Sequence, residues 1–139
     1  MHEIKDSKQA TVRIGYDGKV HKHYHGPKAK ERFLNEVKML KYLEERNCDF
    51  VPQVIDSDEE KLYLITSNCG EIVNAMRPEK QKTLFDELET YGVRHADPFL
   101  RNVTYNARSG RFCIIDFEFA HIIETGEGLA LEDVEPPKK

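Results

Sequence analysis

The sequence lacks the features that would place it among membrane or secreted proteins. It contains no apolar stretch close to the roughly 20 residues that a membrane-spanning helix needs. Residues 1–10 are polar and of mixed charge, without the apolar segment of a secretory signal. The chain has only three cysteines, Cys48, Cys69 and Cys113, which are far apart and never form a C-x-x-C pair. We therefore expect reduced thiols, a cytoplasmic location and no membrane partner.

A concentration of basic residues is also missing. Lysine and arginine number 21 against 25 aspartate and glutamate residues, for a net charge of −4, and the basic residues are scattered. A dedicated nucleic-acid-binding protein usually carries a basic stripe, so we expect no nucleic-acid partner. With 139 residues, of which 39% are hydrophobic and 33% charged, the chain can form one domain or two small lobes that share a core.

Hydrophobic periodicity and turn residues predict an α+β fold. Asp17 and Gly18 stand between two β-prone runs, which indicates a hairpin because glycine tolerates the positive φ of a tight turn. Apolar residues recur at helical spacing in residues 28–46, whereas Pro78 and Gly92 are placed to begin and end a second helix. The predicted strands are residues 10–14, 19–24, 54–55, 62–65, 103–105 and 112–115, and the predicted helices are residues 28–46 and 78–91.

Polar side chains gather in two segments of the C-terminal half. Asp116 directly follows the apolar run 112–115, so a buried strand would deliver a carboxylate at its end, where a charge needs a partner. Upstream, His95, Asp97 and Asn102 form the spacing H-x-D-x-x-x-x-N in a polar loop. Each segment alone has a plainer interpretation, as an aspartate that caps a turn or as the turn that Asp before Pro often opens. Both segments in this order, one hairpin apart, place two carboxylates and a carboxamide where a metal-bound triphosphate could be held.

A lysine and a glutamate of the N-terminal half are predicted to meet. Alternation along the strand places Lys22 on the same face as Val20 and Tyr24, which suits a lysine that points into a cleft. Glu36 lies on the apolar stripe of the first helix, four residues before Leu40. A glutamate on such a stripe needs a cation, and Lys22 is the natural one. An ordinary solvated glutamate is the alternative.

Three histidines, His21, His23 and His25, lie on the opposite face of the same strand. Alternate histidines of a strand can share a metal ion. No fourth ligand follows nearby, and an exposed polar strand face explains the pattern equally well. Both interpretations stay open at this point.

The two C-terminal segments resemble the catalytic core of protein kinases, in which an H-x-D-x-x-x-x-N segment is followed by an apolar strand that ends in D-F-x. The similarity covers roughly residues 10–120. It implies that Asp97 is the catalytic base and that Asn102 and Asp116 bind magnesium. It also implies a structural role for His95, whose ring would hydrogen-bond to backbone near Asp116.

The resemblance also implies a nucleotide partner, with ATP and magnesium as cofactors. Lys22 would hold the phosphates, and Glu36 would orient Lys22. The implied fold is a reduced protein-kinase-like α+β fold. It has an N-lobe of residues 1–70, with a small antiparallel sheet and one long helix, and a stunted helical C-lobe of residues 71–125. Residues 126–139 are expected to be a flexible tail.

The chain departs from the kinase pattern at several points. Glu118 replaces the glycine of D-F-G, as in choline-kinase-like and lipopolysaccharide-kinase-like proteins, and Arg101 gives the D-x-x-x-R-N form of tyrosine kinases. No G-x-G-x-x-G motif precedes Lys22, so we expect the first strand and the phosphate-covering loop to be absent or degenerate. Only 21 residues follow Glu118, which leaves no room for the helices of a peptide-substrate platform.

The expected function is an ATP- and magnesium-dependent phosphotransferase for a small or atypical substrate, or a weak ATPase. A pseudokinase-like scaffold or binding module without catalysis is the alternative, and the missing glycine-rich loop favours it. Coincidental resemblance in an unrelated α+β domain is a third interpretation. A shortened C-lobe would leave apolar surface uncovered, so we also expect a protein partner or a homodimer.

Overall fold

Two α-helices and a set of short antiparallel strands form an α+β fold, as the sequence predicted. The computed structural model describes residues 2–6 and 10–130. In chain order, the described elements are β1 (His2–Asp6), β2 (Ala10–Ile14), β3 (Val20–Tyr24), α1 (Ala29–Glu45), β4 (Val54–Asp58), β5 (Tyr63–Thr66), β6 (Glu71–Ile72), α2 (Pro78–Thr90), β7 (Val93–His95), a short 3₁₀ helix (Leu100–Asn102), β8 (Val103–Asn106), β9 (Arg111–Ile114) and β10 (Ala120–Ile122).

The N-terminal half is built on one five-stranded antiparallel sheet in the order β1-β2-β3-β5-β4. The hairpin between β2 and β3 turns where predicted, and Gly18 has a φ of 78° there. Strand β3 lies between β2 and β5, so that Lys22 stands opposite Val12 on one side and Leu64 on the other. Lys22 is therefore held on a central strand, whose backbone is fixed from both sides.

The edge strand β1 corrects one expectation. The missing glycine-rich motif predicted an absent or degenerate first strand, yet His2–Asp6 pairs with β2, with an irregular register between Glu3 and Lys5. Ile4 is the single apolar residue of this segment, so no apolar alternation indicated a strand. The pairing satisfies backbone groups at the edge of β2 that would otherwise lack a partner strand. Residues 7–9, which connect β1 to β2, lie outside the described residues.

Helix α1 packs on the sheet with its apolar side and buries three polar residues as well, Arg32, Asn35 and Glu36. Nδ2 of Asn35 donates hydrogen bonds to the carbonyl oxygens of Glu118 (2.9 Å) and Ala120 (3.1 Å). The polar positions of the helix are buried because they bond to the chain segment 117–120. The helix thereby fixes that segment relative to the sheet.

The C-terminal half contains short strands that the sequence did not indicate. Strand β7 pairs with β10, with His95 opposite Ala120, while β6 and β9 flank β8. Strands of two or three residues carry too little alternation to be recognised, and they form here by pairing with distant segments. Helix α2 begins at Pro78 as predicted, and Gly92, with a φ of 95°, follows its end.

One hydrophobic cluster extends through both halves of the chain. It contains Tyr24 and Phe33 from the N-terminal half and Leu88, Ile114 and Phe117 from the C-terminal half, all of them buried. The predicted regions 1–70 and 71–125 therefore share a core. The boundary between them stays a prediction. No helix within residues 10–130 has the length and apolar character needed to cross a membrane.

Part of the expected C-terminal tail, residues 126–130, hydrogen-bonds to the residues of β10. The amide of Ile122 donates to the carbonyl of Glu127 (2.8 Å), and the amide of Leu129 donates to the carbonyl of Ala120 (3.2 Å). Residues 126–130 thus turn back on β10. Residues 131–139 lie outside the described part of the chain.

Candidate functional site

A cavity of about 640 Å³ lies against the face of the sheet that carries Lys22. Its apolar wall comes from β2, β3 and β5, and residues 66–72 line a further side. Four of the five residues that the sequence singled out also line it, namely Lys22, Glu36, Asp97 and Asp116. Asn102, the fifth, is buried and hydrogen-bonds to Asp97. Segments that are far apart in the sequence thus meet at one cavity.

Lys22 contacts three carboxylates at once. Its Nζ lies 2.7 Å from Oε2 of Glu118, 2.8 Å from Oε1 of Glu36 and 3.3 Å from Oδ1 of Asp116. The predicted ion pair with Glu36 is therefore present. An ammonium group has three N–H donors, and these three acceptors use all of them.

The charge of Lys22 follows from this arrangement. Burial disfavours the ammonium form, but the neighbouring carboxylates, chiefly Asp116 and Glu36, outweigh burial and hold the pKa of Lys22 well above its ordinary value of 10.5. Lys22 is therefore a cation at neutral pH. Its charge is already matched by the acids that surround it.

Glu36 is fixed from several sides. Oε1 accepts hydrogen bonds from Lys22 and from the hydroxyl of Tyr24, and Oε2 accepts one from the amide of Phe117 (2.8 Å). The last of these bonds joins helix α1 to the residue that follows Asp116. Glu36 therefore holds both the lysine and the backbone next to Asp116.

Two charged residues that were not predicted as site residues complete the buried network. Glu118 is 5% exposed, and its Oε1 lies 2.7 Å from Nη1 of Arg32, which is completely buried. Burial raises the pKa of Glu118. The positive charge of Lys22 opposes this rise, whereas the negative charge of Asp116 makes the rise larger. Arg32 precedes Glu36 by four residues and so shares its helix face. The four-residue spacing between Arg32 and Glu36 was the feature of the sequence that could have predicted the burial of Arg32.

Asp116 stands in an unusual backbone conformation at the end of the strand β9. Its φ is 66°, in the left-handed region, where a residue with a side chain costs about 1–2 kcal/mol relative to the right-handed region. The amide of Ile115, directly before it, donates to the carbonyl of Asn102 (2.9 Å). Bonds on either side of Asp116 hold the strained residue at the cavity wall, and strain of this kind is common at functional sites.

His95 links the two C-terminal segments. Its Nδ1 accepts a hydrogen bond from the amide of Asp97 (2.9 Å), which leaves Nε2 as the donor to the carbonyl of Ile115 (3.0 Å). The ring packs edge-on against Phe85 and Phe117. The predicted structural bond of His95 to backbone near Asp116 is confirmed. This ring sets the spacing between the loop of Asp97 and the strand end of Asp116.

Asp97 is engaged through both of its carboxylate oxygens. Arg101 donates from Nη2 to Oδ1 (2.5 Å) and from Nε to Oδ2 (2.9 Å). Nδ2 of Asn102 donates to Oδ2 (2.8 Å) and to the main-chain carbonyl of Asp97 (2.9 Å). The pKa of Arg101 is raised by its hydrogen bond to Asp97. The side chain of Arg101 is 66% exposed, so this pair can open at small cost.

The side chains around Asp116 fit a divalent cation. Oxygen atoms of Glu36, Asp116 and Glu118 lie within 4.8 Å of one another. Oδ1 of Asn102 is buried, and among the described residues no donor bonds to it. Carboxylate and amide oxygens are the ligands that Mg²⁺ prefers in proteins. Among the described residues, Glu36, Asp116 and Glu118 are thus the set that could hold such an ion, in competition with the Lys22 ammonium group that contacts all three.

The cavity is strongly acidic. Its charged lining residues are two cations and five carboxylates: Lys22 and Arg101, and Glu36, Glu71, Asp97, Asp116 and Glu118. A bare polyphosphate would be repelled by this excess of negative charge, whereas a metal-bound one would carry its own neutralising charge. The electrostatics therefore favour a ligand that brings cations with it.

In the described part of the chain, His21 and His23 of β3 and His25, which follows it, are not among the side chains that come close enough to share an ion. Nδ1 of His21 lies 2.8 Å from the hydroxyl of Tyr63, and its Nε2 faces the carboxylate of Asp17. Within residues 10–130, the three acids around Lys22 are the one set of at least three His, Cys, Asp or Glu side chains whose ligand atoms come close enough for an ion. The polar-face interpretation of these histidines is the one that fits the structure.

Comparison of the sequence with protein-family models and with curated proteins found no match. The interpretation of the site therefore rests on the residues and their geometry.

Proposed function

We propose that this chain is a minimal kinase-like protein that binds Mg-ATP in the acidic cavity. In this proposal it transfers the γ-phosphoryl group to a small acceptor or hydrolyses ATP slowly. The observation that carries the proposal is the contact of Lys22 with both Glu36 and Asp116 in a cavity that Asp97 also lines. A lysine–glutamate pair, a metal-binding aspartate and a catalytic aspartate are the parts that phosphoryl transfer by this route needs.

Each residue has a definite task in this mechanism. Lys22, held by Glu36, would bind phosphate oxygens, and Asp116 and Asn102 would hold the metal. Asp97 would orient the acceptor hydroxyl and accept its proton. Magnesium, when bound, would neutralise the charge that develops on the phosphate oxygens. The apolar wall that β2, β3 and β5 form is suited to an aromatic base.

A binding module without catalysis is the second candidate, and the state of Asp97 favours it. Arg101 and Asn102 donate three hydrogen bonds to the two carboxylate oxygens of Asp97, which take up most of the roughly four acceptor positions of the proposed base. An acceptor hydroxyl would compete with Arg101 for this carboxylate. A scaffold or a nucleotide sensor does not need Asp97 to accept a further proton donor.

Isothermal titration of Mg-ATP tests the proposal. We expect binding that disappears when magnesium is left out, and that weakens by at least about tenfold in Asp116→Asn because a metal ligand is lost. Asp56→Asn, which changes an exposed aspartate outside the cavity lining, is the matched control and should bind like the wild type. Equal affinity of wild type and Asp116→Asn, or no binding at millimolar Mg-ATP, would overturn the proposal.

A turnover assay separates the two candidates once binding is established. Release of phosphate from ATP by the wild type, lost in Asp97→Asn while Mg-ATP still binds, would support a catalyst. Binding with no turnover above the Asp97→Asn background would favour the binding module.

A further inference from the structure

One carboxylate, that of Glu118, contacts two buried cations. Its Oε2 lies 2.7 Å from Nζ of Lys22, and its Oε1 lies 2.7 Å from Nη1 of Arg32. Lys22 and Glu118 line the cavity, whereas Arg32 lies outside the cavity lining in the described part of the chain. Glu118 is therefore shared between a cation that a ligand in the cavity can contact and a cation that such a ligand does not reach.

The guanidinium of Arg32 is fixed independently of Glu118. The residue is completely buried, and its Nε donates to the carbonyl of Pro27 (2.9 Å) while Nη2 donates to the carbonyl of His25. Both carbonyls belong to the segment that joins β3 to α1, directly after the strand of Lys22. Arg32 can therefore hold Glu118 in place whether or not Lys22 contacts the same carboxylate.

A polyphosphate needs N–H donors that Lys22 does not offer in this arrangement. A lysine in this role contacts the α- and β-phosphates, but carboxylates use all three N–H donors of Lys22. In the proposed function, magnesium takes over Asp116, whose contact with Lys22 is the longest of the three at 3.3 Å. That exchange releases one donor, and a second donor has to come from Glu36 or Glu118.

Glu118 is the carboxylate that can give up Lys22 with the smaller loss. Among the described residues, Lys22 is the one cation that contacts Glu36, whose other donors are a tyrosine hydroxyl and a backbone amide. A buried carboxylate that loses its cation is strongly destabilising. Glu118 keeps its contact with Arg32, so its charge stays compensated when Lys22 turns away.

We propose that Arg32 is a positioning residue of the phosphate site and acts on Lys22 through Glu118. Arg32 retains the Glu118 carboxylate while the Lys22 ammonium group binds phosphate oxygens, and Glu118 returns to Lys22 when the ligand leaves. No covalent bond changes and no proton is transferred in this exchange. The strength of the Arg32–Glu118 pair thus sets the affinity for the ligand. The proposal rests on the proposed function, because it concerns a metal-bound polyphosphate in this cavity.

Replacing the two partners should change the affinity for Mg-ATP in opposite directions. In Glu118→Gln the single amide oxygen can accept from Arg32, and the amide nitrogen, which is a donor, then faces Lys22. Lys22 is released, and Mg-ATP should bind about fivefold more tightly. In Arg32→Met, Lys22 is the one cation left to Glu118 among the described residues. Ligand entry would then leave a buried carboxylate without a cation, so Mg-ATP should bind about fivefold more weakly.

Isothermal titration of Mg-ATP into the folded full chain measures these affinities, and urea denaturation of each variant checks that it is folded. Arg32→Lys keeps a positive charge beside Glu118 and should restore most of the affinity that Arg32→Met loses. The double variant Arg32→Met/Glu118→Gln should bind like Glu118→Gln, because Arg32 acts only through Glu118. Arg94→Met is the matched control and should bind like the wild type, since Arg94 pairs with Glu89 on the surface, outside the described cavity lining.

The direction of each change decides the question. Weaker binding by both single variants would mean that Glu118 is a metal ligand or only a structural residue, and would overturn the proposal. Unchanged affinity in both, or equal losses in Arg32→Lys and Arg32→Met, would overturn it as well. Absence of Mg-ATP binding in the wild type would overturn the proposed function itself, which is a different result from binding with the wrong direction of change. If Glu118→Gln does not fold, the comparison of Arg32→Met and Arg32→Lys with the wild type still decides.

Discussion

Lys22 and Glu118 form a buried ion pair of 2.7 Å although 96 residues separate them in the sequence. Because Glu36 and Asp116 use the remaining two N–H donors of Lys22, its ammonium group has no donor left for a further acceptor. A phosphate that binds Lys22 must therefore displace one of these carboxylates. Of the three carboxylates, Glu118 would keep a cationic partner after displacement, because Arg32 contacts its other oxygen.

Removing only Glu118 from the Arg32–Glu118 pair should destabilise the fold more than replacing both residues with apolar ones. Glu118→Leu removes the carboxylate that balances a fully buried guanidinium, so we expect the free energy of unfolding to fall by about 3–5 kcal/mol. Arg32→Met leaves Glu118 paired with Lys22 and should cost less. The double variant should recover part of the loss of Glu118→Leu. Urea denaturation of all four proteins measures this, and simple additivity of the two single changes would contradict it.

Stability should decline at alkaline pH because of Lys22 and Tyr24. The charged form of Lys22 is favoured in the folded state, so its stabilisation is complete below the unfolded pKa of 10.5 and is lost as the pH rises through the higher folded pKa. Burial, with Glu36, raises the pKa of Tyr24 well above 10.0, so the unfolded chain ionises first. Both effects lower the free energy of unfolding above about pH 10. Urea denaturation across this range should show a smaller alkaline loss in Tyr24→Phe, and an equal loss would exclude the contribution of Tyr24.

Gly70 should tolerate alanine much less well than Gly18 does. Both have positive φ, 96° and 78°, which costs a residue with a side chain about 1–2 kcal/mol. At Gly70 the new Cβ would also meet the Tyr105 carbonyl, which adds about 1–3 kcal/mol of overpacking, whereas nothing lies within 4 Å at Gly18. Thermal or urea unfolding of Gly70→Ala and Gly18→Ala compares them directly. Equal losses would mean that the segment at Gly70 moves away from β8 without cost.

The elements with strong local signals were predictable. The β2–β3 hairpin, helix α1 and helix α2 are present within one or two residues of the predicted bounds. Lys22 and Glu36 also meet as predicted, because strand alternation and helix phase each place a side chain on the core-facing side. The contact of Lys22 with Glu36 could be predicted from the periodicity of apolar residues along the strand and the helix.

The remainder of the site depends on pairing across the sequence. Strand β1 has Ile4 as its single apolar residue and forms by pairing with β2, whereas β6, β7 and β10 are too short to show alternation and form by pairing with strands that are distant in the sequence. Burial of Arg32 likewise required a carboxylate 86 residues away. A charged residue in the sequence normally indicates a solvated surface, and only its partner makes burial possible.

The sequence by itself determined the chemistry that the chain can offer: a lysine, carboxylates and a carboxamide on elements whose periodicity turns them inward. The tertiary structure decided how these groups share their charges. It placed three acids on Lys22 and paired Asp97 with Arg101. The physical reason is that periodicity is a property of neighbouring residues, whereas charge compensation depends on distances between segments that only the packed core fixes.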